Sequence, residues 1–236
     1  MSFDLVTTDG VATLTLRRPP VNALDLETVE RLESVFAELA GNPPAAGLVL
    51  SGAGRCFSAG VDTRAFASYD RASRVRMILA ISAMVTELYA MPCPVVGAVA
   101  GHALGGGFVL MLAADVRLAV DDEDIRLGLT EAQAGIPFPA GPLEIIKAEL
   151  SPDVLRRLTL TSETLAPRDL HRLGVVDELV GAAEIVTRAE DRVRALAGQP
   201  GHKLVKEQVR RATLSRLRAI VASRQDMLIE QLGRTG

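Results

Sequence analysis

A chain that passes twice from an apolar strand through a glycine-bounded loop into a helix, and then back into a strand, has few folds open to it. Here the first passage runs from the apolar residues 47–50 into Gly52-Ala53-Gly54. Helical spacing follows over residues 71–89, with Val75, Ile78, Leu79, Val85 and Leu88 on one side. Pro92 and Pro94 end that helix. The second passage starts at a strand-like segment, 94–99, crosses Gly105-Gly106-Gly107 and enters the apolar run 108–114 before a further strand at 116–120. Strand and helix alternating within one stretch specify an α/β fold, not separate all-α and all-β parts.

The flanks fit around this core. Phe3 and Leu5, then Val11, Thr13, Thr15 and Leu16, bracket the turn dipeptide Asp9-Gly10 and read as a hairpin. Pro19 and Pro20 stop it. Asp25 suits a helix N-cap ahead of Leu26, Val29, Leu32, Phe36 and Leu39. Beyond Gly141 the pattern is mostly helical, over 143–150, 154–160, 167–173, 185–196 and 204–232, with one strand-like interruption at 175–180. No Gly/Ser or Pro-rich linker divides the chain, so one domain with a helical C-terminal extension is expected.

Composition narrows the class of function. The 236 residues are 48% apolar and 23% charged, enough for a buried core. Lys and Arg number 26 against 29 Asp and Glu, a net charge of −3 that offers no general attraction to nucleic acid or an anionic membrane. Two cysteines, Cys56 and Cys93, supply no disulfide framework. The segment beginning Met1-Ser-Phe-Asp-Leu lacks the pattern of a secretory signal, and the apolar stretches are interrupted by Gly, His and Asp. A cytoplasmic protein is the expectation.

Several chemistries are disfavoured. His102, His171 and His202 are far apart and the cysteines form no CxxC, so no metal site is expected. Ser58, in Cys56-Phe57-Ser58-Ala59-Gly60, lacks the first glycine of a nucleophile elbow. Neither glycine loop completes a GxGxxG or a P-loop. What remains is a pair of glycine loops whose N–H groups can approach a ligand oxygen closely. Two such groups on one carbonyl form an oxyanion hole, while either loop alone is more often only a tight turn.

The loops stand in a specific order. Arg18-Pro-Pro-Val-Asn-Ala-Leu24, Gly52-Ala-Gly-Arg-Cys-Phe-Ser-Ala-Gly-Val-Asp62, Gly101-His-Ala-Leu-Gly-Gly-Gly107 and Leu127-Gly-Leu-Thr-Glu-Ala-Gln-Ala-Gly-Ile-Pro137 together resemble the crotonase, or enoyl-CoA hydratase/isomerase, superfamily. The resemblance implies a spiral of ββα units, here residues 1–180, and a helical region, 181–236, that makes contacts in a homotrimer or dimer of trimers. It also implies an acyl-CoA thioester whose carbonyl lies between the amides of Val61 and Gly106. Coenzyme A enters as part of the substrate, and no separate cofactor is implied.

By the same resemblance, the hydratase pattern has one Glu shortly after the triple glycine and a second further on. In this chain the first position is Val109 and the second is Glu131. Hydration normally divides its proton transfers between two carboxylates, whereas moving a double bond needs one base that takes a proton and returns it two carbons away. The pattern is therefore similar to Δ3,Δ2-enoyl-CoA isomerases, with Glu131 as the shuttle. An enoyl-CoA hydratase, a thioesterase and a silent acyl-CoA-binding protein are the alternatives. Read alone, Glu131 is a surface carboxylate near a helix start. Asp62, Asp115 and Glu144 fall on no family acid/base position, and Asp115 reads as a structural hydrogen-bonding residue. The resemblance further places Arg64 and Lys206 near the CoA phosphates, the backbone of Ser58 and Ala59 near the adenine, and His102 in a packing role.

Overall fold

The computed structural model describes residues 2–232. Strands β1 (Phe3–Thr8) and β2 (Val11–Leu16) pair antiparallel around Asp9 and Gly10, both at positive φ, as a two-residue hairpin turn requires. Helix α1 (Leu26–Gly41) starts where the Asp25 carboxylate accepts the Thr28 N–H, and it buries Val29, Leu32 and Phe36.

Three times thereafter the chain lays a strand in a large sheet, crosses to a short strand in a small one, and turns into helix. The first round is β3 (Gly47–Gly52), β4 (Cys56–Ser58), α2 (Thr63–Ser68) and α3 (Arg71–Tyr89). The second is β5 (Val95–Val99), β6 (His102–Leu104) and α4 (Gly106–Leu112). The third is β7 (Val116–Val120), β8 (Leu127–Gly128) and α5 (Glu131–Ala134). There follow α6 (Ala140–Glu149), α7 (Pro152–Thr161), β9 (Thr164–Leu165), α8 (Pro167–Arg172), β10 (Glu178–Val180), α9 (Ile185–Ala197), α10 (His202–Ser223) and α11 (Met227–Leu232). The large sheet has the order β1-β2-β3-β5-β7-β10 and the small one β4-β6-β8-β9. Strands β3, β5 and β7 run parallel and are buried along their whole length, which is why they read as continuous apolar runs. This is the spiral of ββα units that the motif order implied.

Two expectations need correcting. The helix expected over 204–232 is broken: Arg224 takes a left-handed conformation (φ 52°) that ends α10, and the Asp226 carboxylate accepts the Leu228 N–H at the start of α11. The strand expected over 175–180 contracts to β10, because the N–H groups of Val175 and Val176 fold back onto the Leu170 carbonyl to close α8. Helix α9, placed in the extension by a boundary at residue 180, lies against β3, β5 and β7 and buries Ile185, Ala189 and Val193.

Candidate active site

The geometry starts from two amides. Leu24 donates its N–H to the Gly60 carbonyl and accepts from Asp62 N–H, each at 2.8 Å. This bridge holds both neighbours of Val61 and leaves the Val61 N–H without a backbone acceptor among the described residues. Gly106 opens α4, so its N–H has no partner within the helix. The two amides are neighbours: a methyl group on Gly106 would lie 3.7 Å from the Val61 nitrogen.

Residues 18–25 hold the first loop in place. The Asn22 side chain, buried, donates to the carbonyls of Cys56 (2.6 Å) and Ala53 (3.0 Å), and its oxygen accepts the Arg18 N–H. Ser58 Oγ donates to the Asn22 carbonyl at 2.8 Å and accepts the Gly60 N–H at 3.1 Å. The Arg18 guanidinium joins Asp25 (3.1 Å) and Asp62 (2.9 Å), the carboxylates that cap α1 and α2. The second loop packs directly on the first. A Cβ on Gly107 would fall 2.1 Å from the Ser58 carbonyl oxygen, so no other residue fits there.

Val61 and Gly106 both line a cleft of about 110 Å³. Its walls are apolar, with Ile78 and Ile81 from α3, Phe66 from α2, and Ile136 and Pro137 beyond α5. Glu131, the first residue of α5, enters this cleft. Its Oε1 would lie 3.2 Å from a methyl group on Gly105, and its Oε2 is buried without a hydrogen-bond partner among the described residues. Burial pushes its carboxyl up to about 7, against a smaller opposing pull from the backbone N–H groups of Glu131 and Thr130. Among the described residues lining the cleft, no other side chain is a carboxylate, imidazole, amine or thiol. Val109, one turn into α4 and 1% exposed, presents hydrocarbon to the same space. Such a site sets two neighbouring backbone amides beside one carboxyl that burial carries into the neutral range.

Val61, Gly106, Glu131 and Ala59 are thus brought together at the cleft. Ser58 lies beneath it, fully buried, its hydroxyl engaged as described. Arg64 is exposed in the first turn of α2, beside the lining residue Thr63, and has no ion-pair partner among the described residues. Lys206 is not brought to the site. Its ammonium donates to Asp115 (2.7 Å) and to the Cys93 carbonyl (2.9 Å), with 7% of the side chain exposed. Asp115 also accepts the Val95 N–H and pairs with Arg210, the structural role expected of it. The other rival carboxylates are engaged too: Asp62 with Arg18, and Glu144 with Lys147 and Arg216. His102 accepts the Arg126 N–H through Nδ1. Burial pushes the thiols of Cys56 and Cys93 up to about 11, which keeps both protonated. Sequence reasoning missed Arg18 and Asn22 as organisers, although both stand in the first motif. It also missed Leu228, which lines the cleft from α11.

The fold is of the crotonase class: human mitochondrial delta3-delta2-enoyl-CoA isomerase superposes with a TM-score of 0.85, covering 100% of this chain and 96% of that one at 22% identity. More narrowly, this chain belongs to the enoyl-CoA hydratase/isomerase family, whose model matches residues 6–234. Carnitinyl-CoA dehydratase of Proteus mirabilis is 32% identical over 199 residues, covering 84% of this chain and 74% of that protein. A probable enoyl-CoA hydratase of Mycobacterium tuberculosis is 26% identical with a TM-score of 0.85, each chain covered to 94%.

Proposed function

We propose that this chain moves a carbon–carbon double bond in an acyl-CoA thioester, converting a 3-enoyl-CoA into a 2-enoyl-CoA. The observation that carries the reading is the lone Glu131 among the residues of the cleft, with Val109 where the hydratase pattern has its other glutamate. The Val61 and Gly106 amides receive the thioester carbonyl. Glu131 takes the proton from C2, the electron pair spreads from C2 over the carbonyl oxygen and C4, and the same carboxyl returns the proton at C4. The double bond then lies between C2 and C3, and Glu131 is again ionised. Each amide lowers the barrier by about 3 kcal/mol by stabilising the developing oxyanion. A carboxyl near 7 suits both halves of the step, since it is a competent base and a competent acid near neutrality. The backbone of Ser58 and Ala59 borders the CoA, and Arg64 supplies a cation for its phosphates. Coenzyme A belongs to the substrate, and the step needs no further cofactor.

A second reading comes from the curated relatives named as carnitinyl-CoA dehydratases. Removing water also begins with loss of a proton at C2, so one base serves that reaction where a leaving hydroxyl at C3 is protonated by another group. Incubation with 3-hexenoyl-CoA, crotonyl-CoA and carnitinyl-CoA separates these readings by product. A shifted double bond supports the isomerase, added or lost water supports the hydratase or dehydratase, free CoA indicates a thioesterase, and binding without change indicates a silent binder.

For assembly we propose a homotrimer or a dimer of trimers, with residues 181–236 as the packing region. In support, Leu204 and Val209 of α10 stand exposed while Leu217 and Leu228 turn inward. Sedimentation of monomer alone at micromolar concentration counts against it.

A further inference from the structure

Among the described residues, those that line the cleft lie between Ala59 and Pro142 except one, Leu228, which α11 returns to the site from the far end of the described chain. A buried carboxylate helps to hold its return. Asp226, 6% exposed, accepts the Leu228 N–H through Oδ1 at 2.9 Å and the Ala140 N–H through Oδ2 at 2.7 Å. Its carbonyl also accepts the N–H groups of Ile229 and Glu230. One residue thereby closes the first turn of α11 and ties it to the start of α6, where Pro139 and Pro142 line the same cleft. The left-handed turn at Arg224 aims the chain this way. The cleft that Leu228 lines has a largely hydrocarbon wall, which includes Ile78, Ile81, Pro139 and Pro142, and its polar side chains are those of Thr63, Thr130 and Glu131.

From this arrangement we infer that Leu228, fixed by the Asp226 clamp, is a specificity-determining wall that sets the length of acyl chain the cleft accepts. The inference rests on the reading of the cleft as an acyl-CoA site. A branched side chain at this place shortens the apolar space by its own volume, so its size selects among chains that differ by a few methylenes. Asp226 acts through α11 and is a positioning residue, touching no substrate.

Titration of saturated butyryl-, hexanoyl-, octanoyl- and decanoyl-CoA into the intact protein tests this without turnover. Leu228→Ala is expected to move the preference toward longer chains, by about tenfold for each methylene newly accommodated. Leu228→Phe is expected to move it toward shorter ones. Asp226→Asn replaces one acceptor oxygen with a donor facing a backbone N–H, so it is expected to flatten the length preference while leaving butyryl-CoA affinity nearly unchanged. Affinities that change by one common factor for all four thioesters, in both Leu228 variants, overturn the wall assignment. Wild-type protein that takes up none of the four overturns the acyl-CoA reading of the cleft itself, a result distinct from the first.

Discussion

Gly60 and Gly106 face each other so closely that a methyl group on Gly60 would stand 2.6 Å from the Gly106 nitrogen. The nitrogen it would strike is one of the two amides assigned to the thioester carbonyl, and backbone cannot rotate aside as a side chain can. Gly60 also has φ +77°, a conformation that any L side chain adopts at a cost. Gly60→Ala is therefore expected to push the two loops apart and lower turnover about a hundredfold or more. Gly54 is the natural control, at φ +79° with nothing within 4 Å of an added Cβ. Gly54→Ala should carry the backbone strain, about 1–2 kcal/mol, and keep its turnover. Rates on 3-hexenoyl-CoA with melting curves for both variants check the pair, and equal rates would remove the close approach as an explanation.

Arg18 holds the Val61 amide at one remove. Its guanidinium joins the caps of α1 and α2, and the Leu24–Val61 bridge lies between those caps. Arg18→Ala leaves Asp25 and Asp62 without their shared cation, and the bridge is then free to shift. A displaced donor affects the transition state more than the bound substrate, so kcat should drop about tenfold to a hundredfold with a smaller change in KM. Arg18→Lys restores the charge without the fork and should recover part of the rate. A lower melting temperature with unchanged kcat would make Arg18 a stability residue only.

Lys206, Asp115 and Arg210 dock α10 onto the sheet through buried charge. Burial holds the Lys206 ammonium below its ordinary value, with Asp115 opposing that shift. Asp115→Asn leaves two buried cations without their anion and should cost about 3–5 kcal/mol in urea unfolding. Lys206→Met removes one charge and leaves Asp115 paired with Arg210 and the Val95 N–H, so its cost should be smaller. Neither change should alter butyryl-CoA affinity of the folded protein. Weaker binding by Lys206→Met at unchanged stability would place this lysine on the CoA after all.

Long elements were legible because their periodicity is intrinsic to them. The helix at 71–89 and the strand at 116–120 appear at the bounds their apolar patterns predicted. Strands β4, β6, β8 and β9 were not, since two or three residues carry no period and pair only because the large sheet delivers them side by side. At the site, Val61, Gly106 and Glu131 come from three separate rounds of the spiral, so motif order could suggest their meeting while periodicity could not. The Asp226–Ala140 and Lys206–Asp115 pairs join residues 86 and 91 positions apart. Nothing local announces such partners, and a charged residue read in isolation defaults to the surface. The break in the last helix was hidden because it turns on the left-handed Arg224, which no apolar period reports, and the α6 N-terminus that Asp226 also meets lies 86 positions away.

Glu131 links activity and stability with opposite signs. Its carboxyl is raised from 4.5 to about 7 by burial, so the folded protein holds this proton more tightly than the unfolded chain does. Between those two values the native state binds more protons, and stability must fall as pH rises. The destabilising contribution is absent below about 4.5, complete above about 7, and on the order of 3 kcal/mol. Glu131→Gln has no proton to lose, so it should be the more stable protein near pH 8 and lose that advantage as pH falls toward 5. On the proposed reaction, its turnover of 3-hexenoyl-CoA should be lower by orders of magnitude with acyl-CoA affinity nearly unchanged, because size is kept and only the base is removed. Wild-type kcat/KM should fall about tenfold per pH unit below about 7, where Glu131 is protonated before substrate arrives. Melting curves of both proteins across this range, beside wild-type rates, check the two signs together. A stability difference that does not vary with pH would show that Glu131 is not held neutral by burial, and full turnover by Glu131→Gln would assign the proton to another group.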